Sequence, residues 1–220
     1  MKQRISLFAT ALCVLFATLS TPSRAQRFEW GVGGGANLSS LIGVEDTTPK
    51  IAPWVGVNVG YLLSERLVLG TEVAWSQQGT HCNPNEAGVA VDYNYNYVNI
   101  PLLIQWRLRV ADTHLRVMAG PQLGIFAGGN YSFTAPSVVG EGYVSGRHEF
   151  DGDSFHAADF GVVVGGRCEL LKGRLMLDVR YAMGITQTHD GISNTMGGYY
   201  YISVPDNRNS VIRVGASVMF

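Results

Sequence analysis

Apolar residues occupy every second position over long stretches of this chain. Ile212, Val214, Ala216, Val218 and Phe220 alternate with Arg213, Gly215 and Ser217. The same rhythm runs through Val55, Val57, Val59, Tyr61 and Leu63, through Val98, Ile100, Leu102, Ile104 and Trp106, and through Leu175, Leu177, Val179, Tyr181, Met183 and Ile185. A period of two is that of an extended strand, whose side chains point to opposite faces in turn. No helical periodicity stands out. The pattern predicts eight strands, at about 28–39, 52–63, 67–77, 93–108, 114–126, 155–170 and 174–187, with a last one ending at 220.

One face of these segments is apolar, and nearly all mid-strand charges gather on the other. They are Glu72, Arg107, Arg116, Asp159, Arg167, Glu169, Asp178, Arg180 and Arg213. The connections alternate in length. Those near Ser64, Val110 and Lys172-Gly173 are tight, whereas 41–50, 79–92, 127–154 and 188–207 are long and polar. Short turns at one end and long loops at the other are the pattern of an outer-membrane barrel. A soluble lipocalin-like barrel would turn its apolar face inward, and alternation alone does not say which face is inside.

Export, low charge and the terminal Phe220 together favour the membrane form. Lys2 and Arg4, the apolar run 5–19 and Ser23-Arg24-Ala25 read as a secretory signal peptide of residues 1–25, leaving a barrel domain of 26–220. The composition agrees: 46% of residues are hydrophobic and only 15% charged, where a soluble domain carries about 25% charge. The expected fold is all-β, an eight-stranded antiparallel up-and-down transmembrane β-barrel in the cell outer membrane. An even strand number puts both ends of the domain in the periplasm, and the terminal aromatic Phe220 is the expected assembly signal. A net charge of −1 offers no attraction to nucleic acid. Cys82 and Cys168 fall toward opposite ends of a band about 25 Å tall, too far apart for a disulfide, which needs Cα atoms within about 7 Å.

The candidate chemistry is that of the polar face. An eight-stranded barrel has an interior only wide enough for side chains, and isolated buried ions are costly, so the nine charges are expected to pair into a packed core without a pore. A narrow ion or solute path and lumenal catalysis are the alternatives. His81, His114, His148, His156 and His189 show no metal-ligand spacing. Ser154 and His156 lack an identifiable third group for a hydrolase, and Asp151-Gly152-Asp153 lacks the remaining ligands of a calcium loop, so it reads as a turn. No catalytic, cofactor-binding or metal-binding residue is therefore assigned, and no cofactor is expected. Trp54, Trp75, Tyr93, Tyr95 and Tyr97 toward the outer side, and Trp30, Tyr61, Trp106 and Phe220 toward the inner side, read as interfacial girdles. Tyr199, Tyr200 and Tyr201 are candidate recognition residues in the last loop.

A set of short motifs resembles the PorT-like family of bacterial outer-membrane β-barrel proteins. It comprises Gly35-x-Asn37-x-Ser39, the run from Tyr97 through Val98, Asn99, Ile100, Pro101, Leu102, Leu103 to Ile104, Gly120-Pro121, Asp159-x-Gly161 with Gly165, and Arg180-Tyr181-x-x-Gly184. The resemblance implies an outer-membrane barrel and, through the family's namesake, a link to a protein-secretion apparatus; no catalytic residues come with it. The expected function is a non-enzymatic barrel whose surface loops bind or contact a partner. An accessory subunit of a secretion apparatus and an outer-membrane lipid-modifying enzyme are the alternatives. Expected partners are outer-membrane lipid, the barrel-assembly machinery and a secretion-system or surface protein.

Overall fold

The computed structural model describes residues 27–42, 47–83, 88–111, 113–137, 142–149, 157–187 and 208–220, with 192–196 and 200–204 as backbone only. The strands are β1 (Phe28–Ile42), β2 (Thr47–Leu62), β3 (Leu67–Cys82), β4 (Ala90–Val110), β5 (Thr113–Pro136), β6 (Tyr143–Glu149), β7 (Ala158–Leu170), β8 (Leu175–Gly184), β9 (Ile192–Met196), β10 (Tyr200–Val204) and β11 (Arg208–Met219). Eight of them, β1 to β5 with β7, β8 and β11, pair antiparallel with sequential neighbours, and β11 closes the ring on β1. Closure leaves no exposed edge within the wall, the condition for a sheet in hydrocarbon.

The alternation turns one face outward. Ile51, Val55, Val73, Trp75, Leu102, Ile104, Val117, Val164, Val179 and Val218 are exposed on the outer wall, while Asn37, Asn58, Glu72, Asn99, Gln105, Asp178 and Ser217 are buried inside. Apolar outside and polar inside is the inverse of a soluble barrel. The tight turns lie at the inner end. At one of them Ser64 Oγ accepts from the Leu67 amide at 3.1 Å, and at another a 3₁₀ turn spans Leu171–Gly173.

At the outer end the strands run further than the alternation predicts. The segment 127–154, expected as a polar insertion, continues β5 to Pro136 and returns as β6, which pairs from Asn130↔Glu149 to Pro136↔Tyr143. The expected loop 79–92 is shortened by β3 and β4, paired out to Cys82↔Val91. Within 188–207 the chain forms the β9–β10 hairpin. A bulge hid this continuity. Asn96 faces Gly128 but Tyr97 faces Phe126, so Ala127 is unopposed and Gly128 adopts φ +113°. One extra residue swaps the faces of everything beyond it, and the alternation of β5 breaks there.

Candidate functional site in the barrel lumen

Register places arginines side by side along one wall. Arg107 on β4 lies opposite Arg116 on β5, Arg116 opposite Arg167 on β7, and Arg180 on β8 opposite Arg213 on β11. Like charges directly across from one another repel. The wall holds because carboxylates reach in at two levels.

At the inner level Glu169 accepts from Arg107 Nε and Nη2, each at 3.1 Å, and from Arg116 Nε at 2.6 Å. Glu29 accepts from both terminal nitrogens of Arg116, with Nη2 at 2.9 Å. His114 Nδ1 stands 3.5 Å from Glu169. Arg116 is 1% exposed and fully surrounded by acceptors. Glu29 is absent from the expected lumenal set. Its signal was parity with Asn37 and Ser39 on the polar face, masked by its place at the start of a strand between Phe28 and Trp30.

At the middle level Glu72 lies between Arg213, which donates to it, and Arg180 at 3.1 Å. Asp178 pairs with Arg180 Nε at 2.8 Å and stands 3.9 Å from Arg167. The Arg213 guanidinium also lies 3.3 Å above the Trp54 ring centroid, a cation–π contact. Trp54 is therefore not in an outer girdle. It is 3% exposed and donates from Nε1 to the Val214 carbonyl at 3.0 Å. A Cβ on Gly215 would come within 2.1 Å of the Trp54 ring and one on Gly35 within 2.9 Å of its Nε1, so both positions must stay small for the indole to lie flat.

The polar residues of the Gly35-x-Asn37-x-Ser39 motif are buried and serve β3. Between Pro49 and Trp54 the β2–β3 register slips. There Asn37 donates to Ser76 Oγ and the Gln77 carbonyl, both at 2.9 Å, while Ser39 bonds the Gly79 amide at 2.9 Å and its carbonyl at 2.8 Å. Side chains of β1 thus serve backbone groups of β3 where the ladder is irregular.

Asp159 stands apart from the ion-pair levels. It accepts from Thr186 Oγ1 at 2.5 Å and Asn209 Nδ2 at 3.1 Å at the outer end. Above it Tyr93, Tyr95 and Tyr97 face inward and are buried, which corrects their assignment to the outer girdle. They pack with Leu41, Val89, Val91, Tyr131 and Ala135, joined by Phe126, Phe133 and Cys82. The bulge at Ala127 turns Tyr131 and Phe133 onto this face. Trp75 and Trp106 do face outward, and Trp30 stacks on Phe220 with centroids 4.6 Å apart. Ser154, His156, His189, Tyr199 and residues 151–153 lie outside the described residues, and the Tyr200 and Tyr201 side chains are likewise undescribed. Among the described residues no three His, Cys, Asp or Glu side chains gather as a metal site.

A family model for the outer membrane protein beta-barrel domain matches residues 17–190. Among solved structures the chain is similar to Ail, the attachment invasion locus protein of Yersinia pestis, at 13% identity over 89% of this chain and 100% of that one, with a TM-score of 0.42. It is similar to Neisserial surface protein A at 12% identity over 90% and 100%, TM-score 0.44. The outer membrane protease OmpT from Escherichia coli follows at 10% identity over 91% and 99%, TM-score 0.39. No curated protein matches the sequence.

Proposed function

The chain belongs to the outer-membrane protein β-barrel domain family, and on that footing we propose that it is a non-enzymatic, non-conducting barrel that holds a contact surface outside the cell. One observation carries the reading. β4, β5 and β6 continue past the apolar belt as a sheet whose last strand, β6, is hydrogen-bonded among the described residues only to β5. β6 presents Tyr143 at 74% exposure and Val144 at 52%, with Arg147, His148 and Glu149 beside them. An open strand edge with an aromatic and an aliphatic side chain suits docking of a protein segment. The filled lumen below supports an anchoring role for the rest of the barrel.

The experiment is chemical crosslinking on intact cells followed by capture from detergent-solubilised outer membranes. Wild type is compared with a Tyr143→Ser/Val144→Ser variant. A discrete partner captured by wild type and reduced at least fivefold in the variant, at equal barrel abundance, is the expected outcome. A variant that captures the same partner undiminished overturns the reading.

A secretion role is the second reading, and it rests on the ordered motifs that resemble the PorT-like family. It predicts that the captured partner is part of a larger envelope-spanning assembly.

A further inference from the structure

Two clefts open at the inner end of the barrel, on either side of Lys172. The larger, about 630 Å³, is lined by Arg107, Arg116, Lys172 and Arg174 with Glu29 and Glu169; its apolar lining is the buried Met176 and Met219 with the exposed Val218 and Phe220. The smaller, about 560 Å³, shares Arg107, Glu169 and Lys172 and adds His114 and Leu171. Both volumes fall within the range of small-ligand sites, roughly 300–1,000 Å³.

The charges in the larger cleft do not balance. Glu29 and Glu169 are already engaged by Arg116 and Arg107. Lys172 and Arg174 are exposed, and among the described residues their side chains make no hydrogen bond or ion pair. Four cationic side chains stand against two acidic ones.

The backbone is unusual beside it, at the smaller cleft. Ala111, Leu171 and Lys172 are the non-glycine residues with positive φ among those described, at 50°, 50° and 59°, and all three line the smaller cleft. These residues form the tight turns that frame the cleft. Leu171, 72% exposed, sets an apolar side chain beside the Lys172 cation.

We infer that the cleft between Lys172 and Arg174 binds an anionic phosphate group. A phosphate group supplies negative charge that the cleft lacks, and its oxygens match the guanidinium fork of Arg174 and the compact charge of Lys172. Met176 and Met219 in the same cleft suit the glycerol and first methylenes of a lipid. Two sources share this chemistry, a phospholipid headgroup of the inner leaflet and free phosphate. The inference concerns the end of the barrel opposite β6 and is independent of the outer contact surface.

The test uses the whole refolded barrel in a non-ionic maltoside detergent, which carries no phosphate. Its thermal midpoint is measured in inorganic phosphate against chloride at matched ionic strength, and again in the same micelles with and without added phosphatidylglycerol. The expected rise is about 5 °C at saturation, lost in Lys172→Gln/Arg174→Gln and kept in Arg66→Gln/Arg109→Gln, which removes rim charge outside the clefts. A rise with inorganic phosphate identifies the free ion as sufficient, and a rise only with phosphatidylglycerol identifies the lipid. No rise in either medium, a rise undiminished in the Lys172/Arg174 variant, or an equal loss in the Arg66/Arg109 variant overturns the inference.

Discussion

Glu72 holds two buried arginines at once, Arg180 and Arg213. Glu72→Ala leaves both without that partner in a dry interior, and breaking a buried pair in this way costs about 3–5 kcal/mol. Urea unfolding of refolded barrels should show a loss of that size for Glu72→Ala. Glu72→Leu/Arg213→Leu should lose less than the sum of its single variants, because the residues share one interaction. Cys82 makes a second residue-scale prediction. It lies past Trp75, the last outward apolar residue of β3, against the tyrosine cluster. Burial, and then the nearby Asp92 carboxylate, push its thiol up to about 11. The thiolate is the reactive form, so a raised value makes it scarce at neutral pH. Maleimide labelling of Cys82 should be slow at pH 7 and quicken about tenfold per unit as pH rises toward that value. Cys168, opposite Leu115 and Leu177 near the inner end, should stay unlabelled in lipid. Rapid, pH-independent labelling of Cys82 would contradict the burial. At this scale parity was the informative signal. Trp54 shares it with Asn58, and Tyr93, Tyr95 and Tyr97 share it with Asn99 and Gln105. Reading them as girdle residues gave residue type more weight than position.

Among the elements, β11 closes the wall. It pairs with β1 from Gly31↔Met219 to Ile42↔Arg208, and beyond it the Phe220 amide donates to the Trp30 carbonyl at 2.8 Å while its ring stacks on Trp30. Deleting Phe220 removes that bond and the stack at the seam where the ring must shut. Outer-membrane fractions of cells expressing the truncated chain should contain several-fold less folded, heat-modifiable barrel than wild type. Equal amounts would show that the last residue is dispensable for assembly. The eight ring strands were legible because their alternation is uninterrupted across the apolar belt. β6 and the outer half of β5 were not, because the bulge at Ala127 inverts the faces and glycine and polar residues there resemble loop composition. The register slip between Pro49 and Trp54 was equally silent, since which side chain of β1 completes the β3 backbone depends on two strands at once.

For the whole molecule, the lumen sets the expectation. The arginine wall is closed by Glu29, Glu72, Glu169 and Asp178, and Trp54 lies flat beneath Arg213. Planar-bilayer recordings of the refolded barrel should show no stable large conductance. A reproducible open channel would require the two carboxylate levels to part, and it would overturn the filled-lumen account.

The sequence by itself determined the class of fold, the strands that cross the membrane and the face shared by the mid-strand charges, though not that of Glu29. These follow from a period of two and from the physics of hydrocarbon, which admits only apolar side chains outside and paired backbone within. Only the tertiary structure decided which charges meet. Glu169 serves Arg107 and Arg116 rather than its strand neighbour Arg167, and Glu72 reaches across the lumen to Arg213, 141 residues away. Those partnerships depend on strand stagger and closure, which in Glu169–Arg107 and Glu72–Arg213 link strands not adjacent in the ring, and no local pattern carries that information. The larger inner cleft arises in the same way, from residues of β1, β4, β5, the β7–β8 turn and β11 that closure brings together.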